Sequence, residues 1–442
     1  MPYSIVLILL NSIVVYKICR CCNTSPLLKT LLGVSYYGWN ALPLFYTRVL
    51  GYTDTILSNN IALYDFCNYA NQLFLFFVYL IAYLLIKTQT NPNWLNRPDF
   101  QTNKTFIRKA TVFCVLVVIL STIQLAISST LYTDFDLQKV SSDASVGPYV
   151  LLSSFSRFFL LAVVFFFRNS ISMRMAKYVL AILFAYYLLI TITGGRINIF
   201  AIVILFLYYT YNSQHKKKYL VYFVLTSLLA FSLLPIIGNL RQSGERISVN
   251  DIVNNSNVKE DKILQEVLIK TNSVDYSTFL LSTDGIGGAG SKVYTSAIYS
   301  LVPKFLYPNK PSLGSKDGTV MGSYARFAAQ AISGNADETG YNVGVSTSIV
   351  ALWTLGWPMY IFQILICGYL IFIMNAIFVS RKTLFIVFIL FSTNFPVCQL
   401  DLSLDVILRD IQRYFLLYLF LSYLFKNKYK NAAYNNNVRR VG

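Results

Sequence analysis

Apolar runs long enough to cross a bilayer recur along nearly the whole chain, and they constrain its folding more than any motif does. A spanning helix needs about 20 mainly apolar residues. Eleven stretches approach this, at approximately 3–19, 30–47, 66–87, 110–129, 147–167, 177–194, 197–212, 219–238, 357–379, 383–398 and 411–426. The weakest are 30–47, which holds Pro43 and several polar residues, and 197–212, which is short. In hydrocarbon every backbone N–H and C=O must be paired within its own segment, so runs of this length are expected to be helices. The expected fold is an all-α polytopic membrane protein with about eleven transmembrane helices, ten to twelve, and one large extracytoplasmic loop containing short helices. The first run is followed by Lys17, Arg20 and Cys21-Cys22 and lacks a basic leader, so it reads as a retained helix instead of a cleaved signal.

Charge decides the orientation. Only 13% of the residues are charged, about half the share in a soluble domain, which argues against a soluble enzyme. The net charge of +18 would suggest a nucleic-acid partner in a polar chain, but here the mean hydropathy is +0.54 and the bilayer is the expected partner, with no nucleic acid. One alternation places Lys17, Arg20, Lys29; Lys87, Arg97, Lys104, Arg108, Lys109; Arg168, Arg174, Lys177; Lys216, Lys217, Lys218; Arg381, Lys382; and Lys426, Lys428, Lys430, Arg439, Arg440 on one side, with Asp99 as the sole acid among them. Basic loops stay cytoplasmic. The N-terminus is therefore expected outside and the C-terminus in the cytoplasm.

The same alternation divides the chain. A bundle of about eight helices is expected over 1–238, an outer loop over 239–342, further transmembrane helices over 343–426 and a cytoplasmic tail over 427–442. The outer loop carries ten basic and ten acidic residues. It is too long for a connector, and Ile263, Leu264, Val267 and Leu268 stand at helical spacing within it. Short helices against the outer surface are expected there, whereas the Asn-rich stretch 431–437 is expected to be disordered. Whether 341–356 crosses or dips back is open, although a full crossing would put Arg381-Lys382 outside.

Three arginines fall at or near the outer face. Arg196 follows Gly194-Gly195, Arg241 closes the segment from Pro235 as the chain enters the loop, and Arg157 lies inside its helix. Guanidinium groups suit phosphate or pyrophosphate because they stay charged and bind two oxygens at once. Arg196 and Arg241 read equally as interfacial anchors. Arg157 stands deeper in its apolar run, where a charge costs more and a functional role is the default, with structural ion pairing the alternative. Within the loop, Val302-Pro303-Lys304-Phe305-Leu306-Tyr307-Pro308-Asn309-Lys310-Pro311 has an irregular extended path imposed by its prolines. Arg326 follows, then Asp337-Glu338-Thr339-Gly340-Tyr341-Asn342-Val343-Gly344 directly before apolar sequence. Glu338 is a candidate general base towards a sugar hydroxyl, or a helix-capping acid or partner for Arg326.

Other motifs carry less. Gly285-Ile286-Gly287-Gly288-Ala289-Gly290-Ser291-Lys292 resembles a phosphate-binding loop, but a Walker sequence needs Lys where Ser291 stands. Lys216-Lys217-Lys218 reads as a topology determinant, and His215 beside it is the sole histidine, which excludes a His-based metal cluster. The seven cysteines form neither a disulfide framework nor a CxxC pattern. Asp401, Asp405, Arg409 and Arg413, four apart, read as a salt-bridge ladder.

Taken together the chain resembles the O-antigen polymerase (Wzy) family. The likeness rests on many helices with one large outer loop in the C-terminal half, on Thr193-Gly194-Gly195-Arg196, on Val302–Pro311 and on Glu338–Gly344 leading back into the membrane. The Arg-x10-Gly spacing of some members is absent, since Ile252 and Asp337 stand eleven residues after Arg241 and Arg326. The resemblance implies a glycosyltransferase of the bacterial plasma (inner) membrane, working without metal or cofactor. It would polymerise polyprenyl-pyrophosphate-linked oligosaccharide repeat units, donor and acceptor, into O-antigen or capsule-type polysaccharide on the outer face, alongside a chain-length regulator and a flippase. Arg196, Arg241 and Glu338 are then the expected catalytic residues, with Arg157, Arg326, Lys304 and Lys310 binding substrate. A lipid-linked oligosaccharide flippase or an O-antigen ligase is the alternative. The outer-face histidine that the ligases use has no counterpart here.

Overall fold

The computed structural model describes residues 2–41, 61–88, 104–131, 147–166, 171–193 and 346–380, with residues 44 and 221 and parts of 278–288 and 415–424. Among these the chain is helical and contains no strand. The principal helices are α1 (Pro2–Arg20), α2 (Pro26–Ser35), α3 (Ile61–Lys87), α4 (Lys104–Leu131), α5 (Gly147–Phe166), α6 (Met173–Thr193), α7 (Thr347–Leu355) and α8 (Trp357–Ser380). Ile61–Lys87, Lys104–Ile123 and Trp357–Val379 are long and apolar enough to cross a membrane. Their faces agree with that solvent. On α4, Val112, Leu116, Leu120 and Ile123 form an exposed apolar stripe, while Ile107, Ala110, Cys114 and Val118 are buried opposite. An exposed stripe of this kind is stable against lipid tails and not against water, and the protein is accordingly a membrane protein. The remaining spans expected at 197–212 and 383–398, all of 219–238 but residue 221, and most of 411–426 lie outside the described residues, as does the tail.

The helices fall into two compact units, one with α1–α3, α7 and α8, the other with α4–α6 and helical residues 415–421. In the first unit three helices run the same way. Asn11 of α1 donates from Nδ2 to the backbone oxygen (3.0 Å) and to Oε1 (2.9 Å) of Gln72 on α3, and Asn23 just past α1 donates to the carbonyl of Ile86 (3.4 Å). Trp357 at the start of α8 stacks edge-on with Phe66 (6.4 Å), Tyr360 donates to the carbonyl of Ala70 (2.6 Å), and Gly368 packs against Ile81. The register advances together along both pairs, so α1, α3 and α8 are parallel. Lys17, Arg20 and Lys87 therefore lie towards one end of this unit, its basic end, which is also the end towards which α8 runs.

The return between α1 and α3 is built by local chemistry. Ser25 caps α2, its Oγ accepting from the N–H of Leu28 (3.2 Å), and Pro26 occupies the first turn, where a missing N–H costs nothing. Asn375 of α8 clips this corner, accepting from Ser25 N–H (2.8 Å) and donating to the carbonyl of Asn23 (2.9 Å). The expected span at 30–47 differs in detail: α2 begins earlier and gives way to a π-helical turn at Tyr36–Ala41. Such a turn takes an extra residue and commonly marks a functional position. Here it sets Asn40 against Asn71 of α3, whose Nδ2 donates to Asn40 Oδ1 (3.2 Å).

In the second unit α4 packs on α5 and α6. Hydroxyls along α4 stay satisfied within the helix: the buried Thr111 and Ser121 and the half-buried Thr122 donate to the carbonyls of Ile107, Val117 and Val118 at 2.6, 2.7 and 2.7 Å. Phe106 of α4 meets Tyr418 edge-on at 6.3 Å.

Candidate functional site

Of the residues singled out in the sequence, Arg157 is described. Arg196, Arg241, Lys304, Lys310, Arg326 and Glu338 lie outside the described residues, as do Asp337, His215, Lys216–Lys218 and the Asp401–Arg413 ladder. Arg157 is the eleventh residue of α5, about 15 Å from the start of the helix. It is half-buried, its guanidinium 5.0 Å from the ring centroid of Phe158 and 5.9 Å from that of Tyr186 on α6. The Tyr186 hydroxyl lies 3.0 Å from Ser153 Oγ, one turn before Arg157 on α5.

Each neighbour has a physical role. An arginine at the centre of a membrane helix costs roughly 2.5–3.5 kcal/mol on insertion scales. A guanidinium over an aromatic face recovers about 0.5–2 kcal/mol, the more the less water is present. Tyr186 supplies such a face, and its bond to Ser153 fixes the ring across the α5–α6 contact. The result is a permanent cation set against two aromatic rings, and a guanidinium is a group that can bind phosphate through two oxygens at once.

A second polar centre lies in the first unit and follows from no motif. Asn71 Oδ1 lies 2.7 Å from Ser346 Oγ and 2.8 Å from Ser348 Oγ, with the two hydroxyls 2.7 Å apart. Asn40 completes it, donating to the carbonyl of Ser35 (3.4 Å). All four side chains are buried. The signal for this centre in the sequence is Asn68, Asn71 and Gln72 interrupting an otherwise apolar run, a pattern that requires partners elsewhere in the fold. Its serines begin α7, of which Thr347 to Thr354 are all buried.

The glycine run set aside as a phosphate loop has a structural position here. Gly285 and Gly287 adopt positive φ (73° and 76°), and Gly287 N–H donates to the carbonyl of Leu352 at 2.8 Å. Gly356 N–H reaches the same carbonyl at 3.1 Å. Two donors thus satisfy one orphan carbonyl at the C-terminus of α7. Comparison with protein-family models, with curated proteins and with solved structures finds no match to the chain.

Proposed function

We propose that the chain is an oligosaccharide repeat-unit polymerase of the O-antigen polymerase type, a multi-pass glycosyltransferase of about eleven spans in a bacterial plasma membrane. The observation that carries this reading furthest is Arg157, a permanent cation within an apolar helix and set against the rings of Phe158 and Tyr186. The sidedness of the basic residues supports it, since it leaves Arg157, Arg196, Arg241, Arg326 and Glu338 to a nearly neutral outer half.

In the proposed reaction Glu338 takes the proton of an acceptor sugar hydroxyl. The freed oxygen attacks the anomeric carbon of the donor glycan, and the bond from that carbon to the pyrophosphate oxygen breaks. Polyprenyl pyrophosphate leaves with the electron pair. Positive charge aimed at the departing group lowers the barrier, the role assigned to Arg196 and Arg241, with Arg157, Arg326, Lys304 and Lys310 holding substrate. No metal enters this scheme.

Glycan banding in cells that lack the protein is the first test. A polymerase predicts acceptors carrying single repeat units; lipid-linked units held on the cytoplasmic side would identify a flippase instead. Variants then test the residues. Arg196→Ala or Arg241→Ala is expected to abolish long glycan while the protein still inserts, and wild-type ladders from both would remove the assignment. Tyr186→Phe, which retains the ring, is expected to keep far more long glycan than Tyr186→Leu.

A further inference from the structure

We infer that α7 is a re-entrant helix, entering the membrane and leaving it on the face opposite the basic end, and that residues 285–288 of the long central segment strap its outer end. The inference stands apart from the proposed chemistry and rests on length, depth and docking.

Length comes first. Nine residues of helix rise about 13.5 Å, less than half of a hydrocarbon core of about 30 Å. The twenty-four residues of α8 rise about 36 Å and are enough to cross. Between them Gly356 holds φ 72° and ψ −151°, a combination essentially restricted to glycine, and Pro358 sits in the first turn of the helix that follows. α7 and α8 are thus two helices joined at a bend, not one long span.

Depth can be read against α3. The start of α7 is level with Asn71, to which Ser346 and Ser348 are bonded, and its far end leads to Trp357, level with Phe66. Five residues of α3 separate these levels, so α7 starts about 7.5 Å deeper than it ends. From Asn71 to Lys87, at the basic end, α3 continues for a further sixteen residues, about 24 Å. Nothing in α7 approaches that end.

Docking fixes the side. Gly287 is bonded to Leu352 at the outer end of α7, and Gly356 packs against Ile286, whose Cγ2 would lie 3.4 Å from a Cβ built at that glycine. Thr278, Leu280 and Leu281, just before the strap, are buried. The chain is therefore already on the non-basic side at residue 287, and it begins α7 within reach of that side at Ser346. The buried serines at the foot of α7 are tolerated because Asn71 receives them, and the Leu352 carbonyl in its last turn because Gly287 and Gly356 donate to it. A side chain at 287 would have to adopt the same left-handed φ, which explains why this strap is glycine-rich.

Substituted-cysteine labelling of the full-length protein tests the inference. Asn342→Cys and Trp357→Cys, in a background without native cysteines that retains the wild-type melting temperature, are treated with a membrane-impermeant maleimide from each face in turn. Labelling of both from the same face is expected, and Leu355→Cys serves in place of Trp357→Cys if that variant fails to fold. Labelling from opposite faces overturns the inference. A second measurement covers positions that resist the reagent: Asn71→Cys with Ser346→Cys is expected to form an oxidative crosslink, as is Phe66→Cys with Trp357→Cys. Formation of the second crosslink without the first would place the foot of α7 elsewhere and overturn it equally.

Discussion

Asn71 carries more of the architecture than any charged residue among those described. Its amide receives Ser346 and Ser348 and donates to Asn40, joining α3 to the π turn and to the start of α7. Asn68, one turn earlier on the same helix, bonds to its own helix through the carbonyl of Tyr64 (3.0 Å). The two differ in what truncation strands. Asn71→Ala removes the shared acceptor of Ser346 and Ser348 and the donor to Asn40 Oδ1, a cost of about 1–3 kcal/mol for a buried group left unsatisfied. Asn68→Ala uncovers only a carbonyl already engaged in the helix. Thermal unfolding in detergent is expected to show a clear loss for Asn71→Ala and a small one for Asn68→Ala; equal losses would mean that the polar centre does not brace the unit.

At the scale of elements, close approach between helices is the controlling quantity. Apolar burial gives little drive to associate in lipid, so helices hold together by packing and by interhelical hydrogen bonds. Gly368 shows how near α8 comes to α3: a Cβ there would lie 2.8 Å from Ile81 Cγ2 and 3.1 Å from the carbonyl of Val78. Gly33 on α2 has nothing within 4 Å of such a Cβ. Gly368→Ala should therefore force the helices apart and destabilise by about 1–3 kcal/mol. Gly33→Ala should be neutral or gain up to roughly 1 kcal/mol from helix propensity. Gly356→Ala is costly for another reason, the backbone conformation at the α7–α8 bend, worth about 1–3 kcal/mol. Melting temperatures of the three variants check this order, and a Gly368→Ala protein as stable as Gly33→Ala would contradict the close packing of α3 on α8.

Over the whole molecule, sidedness is the organising property. The alternation of basic loops reads the N-terminus as outside and the C-terminus as cytoplasmic, and α1, α3 and α8 run in parallel, as that alternation requires of them. A reporter placed after Lys382 is accordingly expected in the cytoplasm and an N-terminal tag outside, read by enzymatic activity and protease access in intact cells. Both appearing on one side would break the alternation.

Much of this was legible in the chain itself, and the boundary follows from the range of the forces involved. Apolar length determines which segments enter a bilayer, and nearby basic residues determine which end stays inside, because insertion responds to local sequence. The spans at 66–87, 110–129 and 357–379 were readable on that basis. The polar centre was not. Ser346 and Asn71 stand 275 residues apart, and an amide in an apolar run announces that it needs a partner without saying which. The glycine run at 285–288 invited a reading as a ligand loop for the same reason: its backbone donors are evident in sequence, but their acceptor at Leu352 is chosen by packing. Local hydropathy and charge determined by themselves that this is a helical membrane chain with a basic side. Only the tertiary structure decided where its buried polar groups are satisfied, because in a medium without water that satisfaction comes from other parts of the fold.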